Sequence, residues 1–188
     1  MFIKLNQPAD HGFDEPLGLL SDCHRRIERF LQVLLVIARE HRGGPLPHDR
    51  AAALRQALEY FRTAAPRHTA DEEASLFPRL QASGHSEAGS VRALIARLAR
   101  DHRSAEASHA AVDAAGEQWL REGTLGQAAV ASLIANLEAL EAMYGEHIGV
   151  EDKDLFPAAG RILQPEDLEK VGREMAERRG VRYRPDVE

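Results

Sequence analysis

The chain has 188 residues, of which 44% are hydrophobic and 29% are charged, which suits one domain with a well-buried core and is short for two. Its 24 basic and 30 acidic side chains give a formal net charge of -6. Because no stripe of Lys and Arg is interleaved with aromatic residues, nucleic acid and anionic membranes are not expected partners. The single cysteine, Cys23, excludes an internal disulfide framework and a cysteine-rich zinc site.

The amino-terminal stretch carries no export signal that we recognise. Residues 1–16 contain acidic residues and prolines where a signal peptide needs an apolar run. No apolar stretch approaches the roughly 20 residues of a membrane span. We therefore expect a soluble cytoplasmic protein and no membrane partner.

Apolar residues recur every three or four positions through most of the chain, and strand alternation is almost absent, which predicts an all-α fold. The first predicted helix begins after Asp14 and Pro16 and ends at about Arg42, before the break GGPLP (43–47). The second runs from about Asp49 to Gln81.

Three further helices are expected in the second half. The third follows the break GHSEAG (84–89) and stops near EGTLG (122–126), and the fourth ends before Phe156 and Pro157, with that proline ending the helix. A short fifth helix is expected at about 165–180, between its Pro165 start signal and Gly180. We assign residues 1–188 to one domain with a bundle core at about 14–160.

One sequence motif occurs twice in the chain. HTADEEASLFP (68–78) reappears seventy-nine residues later as HIGVEDKDLFP (147–157). His24, in HRRIE (24–28), likewise reappears as His102, in HRSAE (102–106). Because both the odd and the even helices repeat, the chain is predicted to be a duplicated helical hairpin.

Each predicted turn lies midway in the sequence between two histidines, which places both histidines at the same height along the hairpin. The midpoint between His24 and His68 is residue 46, and that between His102 and His147 falls within GTLG (123–126). Residues equidistant from the turn of an antiparallel hairpin lie side by side, and short connections make successive helices antiparallel neighbours. The sequence therefore predicts an antiparallel, up-down four-helix bundle in which four histidines converge on one layer.

Two glutamates join this layer. Glu72 and Glu151 each follow a histidine by four residues, which is about one helical turn and places each carboxylate beside that histidine. Carboxylates and crowded imidazoles are costly in an apolar core unless cations bind them. Two bridging carboxylates and two histidines per ion suit a pair of iron, manganese or zinc ions, and redox chemistry would favour iron.

At these residues the chain resembles the hemerythrin-like, or HHE cation-binding, family. The resemblance covers about residues 14–160 through DEPLGLLSDCH (14–24), HTADEE (68–73), DH (101–102) and HIGVED (147–152), and residues 167–180 are similar to the tail common in bacterial members. It implies two non-haem, carboxylate-bridged iron ions. The ligands that the resemblance implies are His24 and His68 on one ion, His102 and His147 on the other, and Glu72 and Glu151 as bridges.

The sequence departs from the oxygen-carrying hemerythrins at two positions. Glu106 stands where those proteins have a fifth histidine, and they bridge with a carboxylate at the position of Asp152. Symmetry with Glu72 favours Glu151 as the bridge, with Asp152 as the alternative. Four histidines and two glutamates are more similar to the di-iron proteins associated with iron-sulfur repair under nitrosative stress.

Four neighbouring residues have open roles. Glu28 and Glu106 lie one turn beyond a proposed ligand, where a carboxylate can coordinate, orient a histidine or pair with an arginine. His109, one turn beyond Glu106, is expected to line the core or its rim, and a place near the site is the alternative. Tyr144, one turn before His147, is expected to pack in the core or to donate a hydrogen bond or an electron to an oxygen species at the metals.

Three functions follow, in order of preference. The first is a di-iron protein that binds, senses or reduces a small molecule such as oxygen, peroxide or nitric oxide, in stress response or iron-sulfur repair. The second is an iron reservoir or donor without turnover. The third, a ferritin-like oxidase, ranks last because that fold needs two Glu-x-x-His motifs and only Glu106 and His109 form one.

Overall fold

The computed structural model describes residues 11–184, and within that range all regular structure is helical. The prediction of an all-α fold is confirmed. Residues 1–10, which belong to the stretch in which no export signal is predicted, lie outside the described range. The α-helices are α1 (Pro16–His41), α2 (His48–Asp71), α3 (Phe77–Ala82), α4 (Ala88–Glu122), α5 (Gln127–Val150), α6 (Phe156–Ile162) and α7 (Pro165–Arg178), and the π-helical segments are π1 (Glu72–Leu76) and π2 (Glu151–Leu155).

The four long helices contact one another in a closed circuit: α1 with α2, α2 with α4, α4 with α5, and α5 with α1. On the last face, Arg39 pairs with Glu138, whereas Ser21 lies nearer the start of α1 and pairs with Asp152. The contacting residues therefore rise in number along α1 while they fall in number along α5 and π2. On each of the other three faces, the contacting side chains likewise rise in number along one helix and fall along the other.

The two turns that follow α1 and α4 touch each other. The backbone N–H of Leu125 donates to the carbonyl of Gly43 at 2.8 Å. Gly43 has a φ of +78°, and a Cβ there would lie 2.1 Å from the Leu125 carbonyl oxygen, so only glycine fits this left-handed turn. This contact holds the two hairpin turns at the same end of the molecule.

Two apolar clusters fill the interior. One lies toward the turns and includes Leu58, Trp119 and Leu137. The other lies at the opposite end and includes Leu20 and Leu155. His24, His68 and His102 each lie in the sequence between residues of the two clusters, which places a polar layer inside an otherwise apolar core.

Both copies of the repeated stretch contain a wide helical turn. The N–H of Phe77 donates to the carbonyl of Glu72, and that of Phe156 to Glu151, so each bond spans five residues instead of four. Such π segments are rare and concentrate at functional sites. Both glutamates of the predicted layer begin one.

The predicted end of the fourth helix is wrong. Helical structure continues through Phe156 and Pro157 as α6, to Ile162. Pro157 stands in the first turn of α6, directly after π2. Because the wide turn has already shifted the backbone pairing there, the missing N–H of proline interrupts little. Pro78 has the same place after π1.

The carboxyl-terminal helix α7 is fixed to α2 by a buried ion pair. Asp71 is fully buried, and its two oxygens accept from Arg178 at 2.6 Å and Arg179 at 2.7 Å. Glu174 on α7 also accepts from Arg79 at 2.7 Å. Since Asp71 directly precedes π1, α7 holds the backbone that carries Glu72.

Replacing Arg178 and Arg179 together with alanine should lower the free energy of unfolding by about 3–5 kcal/mol, because the Asp71 carboxylate would stay buried without a counter-charge. Adding Asp71→Asn to this double variant removes that charge and should recover part of the loss. Urea denaturation of the three proteins measures both effects.

Arg62 provides the matched control, because its guanidinium also meets two carboxylates, Asp113 and Glu117, but at the surface. Arg62→Ala should cost no more than about 1 kcal/mol. Equal losses at the two sites, or no recovery with Asp71→Asn, would contradict a stabilising role for the buried pair.

Candidate metal centre

The structure brings the four histidines and two glutamates into one layer, called here the His/Glu layer. Each long helix supplies one histidine, and π1 and π2 supply the glutamates. Five of the six side chains are almost fully buried and the sixth, His102, is 8% exposed. The members of the His/Glu layer are His24, His68, Glu72, His102, His147 and Glu151.

The ligand atoms of this layer form two overlapping groups. In the first, one atom from each of His24, His68, Glu72 and Glu151 lies within 4.8 Å of all the others. In the second, the same holds with His102 in place of His24 and His147 in place of His68. The two carboxylates belong to both groups, which is the arrangement that two bridged cations require.

The carboxylate oxygens of Glu72 and Glu151 are buried, and within residues 11–184 none of the four has a hydrogen-bond donor. Ring nitrogens lie close to these oxygens. Nε2 of His68 is 3.2 Å from Glu72 Oε1, and Nε2 of His24 and of His147 are 3.1 Å and 3.2 Å from Glu151 Oε2. Buried carboxylates without donors are costly. A bound cation would satisfy these oxygens, so the donor set fits a metal.

The charges of the layer are strongly coupled. Burial, together with the nearby charge of Glu151, raises the pKa of Glu72 to about 8. Burial opposes ionisation of Glu151 too, but His147 and His24 lower its pKa below the ordinary range. Without a cation, Glu72 therefore holds its proton more readily than Glu151 does.

The pKa values of the histidines are also shifted in opposite directions. Burial lowers the pKa of His68 and of His102, so both rings stay neutral, as metal ligands must be. Burial also opposes protonation of His24, but contacts with Asp152 and then Glu151 and Glu72 raise its pKa to about 12. A cation that binds must displace this proton.

Three carboxylates lie behind histidines of the layer. Asp152 Oδ1 is 2.9 Å from Nδ1 of His24, and Glu73 Oε1 is 2.8 Å from Nδ1 of His102. Asp101 Oδ2 is 3.5 Å from Nδ1 of His147. Such partners fix the ring orientation and make the histidine a stronger ligand.

Glu73 and Asp101 were not predicted from the sequence as residues of the site. The signal for Glu73 was present, because it follows His68 by five residues just as Asp152 follows His147. Asp152, considered as an alternative bridge, lies behind His24 instead of between the two groups. Glu28 is exposed on α1 and belongs to neither group.

A pocket of about 410 Å³ opens between α2 and α4 and reaches the His/Glu layer. Its wall includes His102 and Tyr144, and Glu106 and His109 line it as well. Nε2 of His109 lies 2.9 Å from the hydroxyl oxygen of Tyr144. Glu106 is exposed and contributes to the pocket wall, not to either group of ligand atoms.

In metal-free protein, Glu72→Gln should raise the free energy of unfolding relative to wild type, by an amount that grows as the pH rises from about 5 to 8. The pKa of Glu72 lies above its ordinary value of 4.5, so the folded protein holds an extra proton in this range and loses stability as the pH rises. Glutamine keeps the shape and has no such proton to lose.

Thermal unfolding of chelator-treated protein across this pH range measures the difference. Glu28→Gln, at an exposed position on α1, is the control, because water solvates that carboxylate in both states. A difference between Glu72→Gln and wild type that stays constant with pH would contradict the buried, protonated carboxyl.

Comparison with known proteins agrees with this site. The model of the hemerythrin HHE cation-binding domain matches residues 15–159. An uncharacterized protein of Haemophilus influenzae is 27% identical over 170 residues, which cover 90% of this chain and 93% of that protein. Among the helices of residues 11–184, none combines the length and apolar character needed to cross a membrane. The family match spans most of the chain and every residue of the His/Glu layer, and the chain therefore belongs to the hemerythrin HHE cation-binding domain family, whose members bind metal.

Proposed function

We propose that this protein holds two non-haem iron ions and uses them to bind, sense or reduce a small molecule such as oxygen, peroxide or nitric oxide. The scaffold is an up-down four-helix bundle made of two repeated hairpins. His24 and His68 form one metal position, His102 and His147 form the other, and Glu72 and Glu151 bridge the two. Manganese and zinc are the other ions that these ligands suit.

The donor set supports this assignment. Imidazole nitrogens and carboxylate oxygens suit borderline divalent cations, and the layer contains no thiolate. Bound iron would supply redox chemistry at this site. The chain itself contributes the geometry, the charges behind the histidines and the access route.

The pocket between α2 and α4 is the observation that favours a reactive centre. It connects solvent to His102, a proposed ligand, and to Tyr144. A reactive centre requires such a path, because a second reactant must reach the bound metal. The path reaches the His102/His147 position, so we place the reacting molecule on that side of the layer.

Tyr144 places a hydroxyl proton in the wall of this pocket, where His109 holds it in a hydrogen bond. Burial, and then the charges of Glu72 and Glu151, raise the pKa of Tyr144, so its hydroxyl keeps its proton at neutral pH. Burial lowers the pKa of His109, so its neutral ring can accept the hydrogen bond from Tyr144. When the hydroxyl turns from His109 toward the layer, Tyr144 can donate this proton to a molecule in the pocket.

Iron-loaded protein should contain about two ions per chain, because the layer offers two sets of histidines and two shared carboxylates. His68→Ala and His147→Ala should each remove one ion and weaken the binding of the other. Metal analysis after gel filtration, at equal protein concentration, measures the content.

His85→Ala is the control, because His85 is exposed in the connection between α3 and α4, and it should leave the metal content unchanged. Equal loss of metal from all three variants would point to surface binding. A single ion at full occupancy in the wild type would rule out the bridged pair.

The anaerobically reduced, iron-loaded protein should change its absorption spectrum on addition of oxygen, peroxide or nitric oxide. Tyr144→Phe should slow the reaction with peroxide at least about tenfold, because it removes the proton donor, while two ions stay bound. Tyr60→Phe is the control, because Tyr60 is also a largely buried tyrosine but lies outside the pocket.

No spectral change with any of the three reactants, combined with ready loss of iron to a chelator, would favour the iron reservoir or donor instead. Equal rates for Tyr144→Phe and Tyr60→Phe would remove Tyr144 from the reaction and leave the metal assignment intact.

A further inference from the structure

The four histidines of the layer are not equally supported. His24, His102 and His147 each have a carboxylate oxygen within 3.5 Å of Nδ1. Nδ1 of His68 is buried and has no hydrogen-bond partner among residues 11–184. The histidine without an outer carboxylate therefore belongs to the His24/His68 position.

The internal repeat explains where the support is lost. Asp152 and Glu73 stand at matching places of the two repeats and support His24 and His102 in the same way. Asp101, which directly precedes His102, supports His147. The matching residue, directly before His24, is Cys23. A thiol is a weak hydrogen-bonding group, so the second half of the layer has an acid where the first half has none.

Nearby charges increase this difference. On the side of Cys23, Arg26 lies 3.9 Å from the thiol sulfur, and Arg178 and Arg179 neutralise Asp71. On the other side, the Asp101 carboxylate faces His147, with Arg97 at 3.9 Å from it. The His102/His147 position thus has two carboxylates behind its histidines and the His24/His68 position has one, which favours a cation more strongly at the former.

We propose that the two metal positions differ in affinity, that the His102/His147 position fills first, and that Cys23 sets the weaker binding at the His24/His68 position. This inference rests on the two-ion site proposed above. Removal of one outer carboxylate partner typically changes metal affinity by about 10–100-fold. The exchangeable ion is thus the one farther from the pocket, and the tightly held ion is the one that a reactant meets.

Competition between iron-loaded protein and a ferrous chelator, under anaerobic conditions, tests the proposal. As the chelator concentration rises, bound iron should fall from two ions to one, hold there over at least about a tenfold range, and then fall to zero. His68→Ala should keep the tightly bound ion. His147→Ala should keep only an ion with the weaker affinity.

Two exchanges test the role of the residue before the histidine. Asp101→Asn should weaken the tight ion by about tenfold or more and shorten the plateau. Cys23→Asp should strengthen the weak ion, whereas Cys23→Ser, which is similar in size and uncharged, should not. Asp101 is partly exposed, so Asp101→Asn tests the proposal even if Cys23→Asp does not fold.

A single transition that releases both ions together, or loss of the tight ion in His68→Ala, would overturn the unequal affinities and leave the two-ion site standing. Equal behaviour of Asp101→Asn and wild type would overturn the role of the outer acid. Wild-type protein that never binds two ions would instead contradict the proposed function itself.

Discussion

Two carboxylates without hydrogen-bond donors, Glu72 and Glu151, lie in the middle of an apolar core. The arrangement of the surrounding residues depends on them. A charge in that environment must be neutralised by a proton, by an imidazolium or by a cation. The four surrounding histidines can themselves become imidazolium groups or can bind a cation. The same interior can thus exist as a proton-sharing network or as a metal centre, and metal binding is coupled to proton release.

The backbone is adapted to hold these carboxylates. Each begins a π segment, in which one wide turn changes the direction of the following side chains without ending the helix. Helix α7 adds a second restraint on the first segment, because Arg178 and Arg179 bind Asp71 directly before it. The carboxyl-terminal helix is therefore part of the support of the site, although it supplies none of the atoms in the two ligand groups.

Duplication gives the site matching ligands but not matching surroundings. The pocket opens beside His102 and Tyr144, and Glu73 and Asp101 add negative charge behind the histidines on that side. The other side has one such carboxylate, Asp152 behind His24, and has Cys23 at the position that corresponds to Asp101. The access route and the stronger electrostatic support for a cation thus coincide in one half of the layer, which is where we place the chemistry.

The sequence by itself determined the helices, the height of the histidines and the place of Glu72 and Glu151, because apolar periodicity, turn residues and a four-residue spacing act within one helix or hairpin. It misplaced the helix end at Pro157, because a π turn leaves no periodic signal. Only the tertiary structure decided that Glu73 and Asp101 face histidines on neighbouring helices and that a pocket reaches the layer. Those contacts depend on how each helix is rotated against the next, and that rotation is fixed by packing of the whole core rather than by any local spacing.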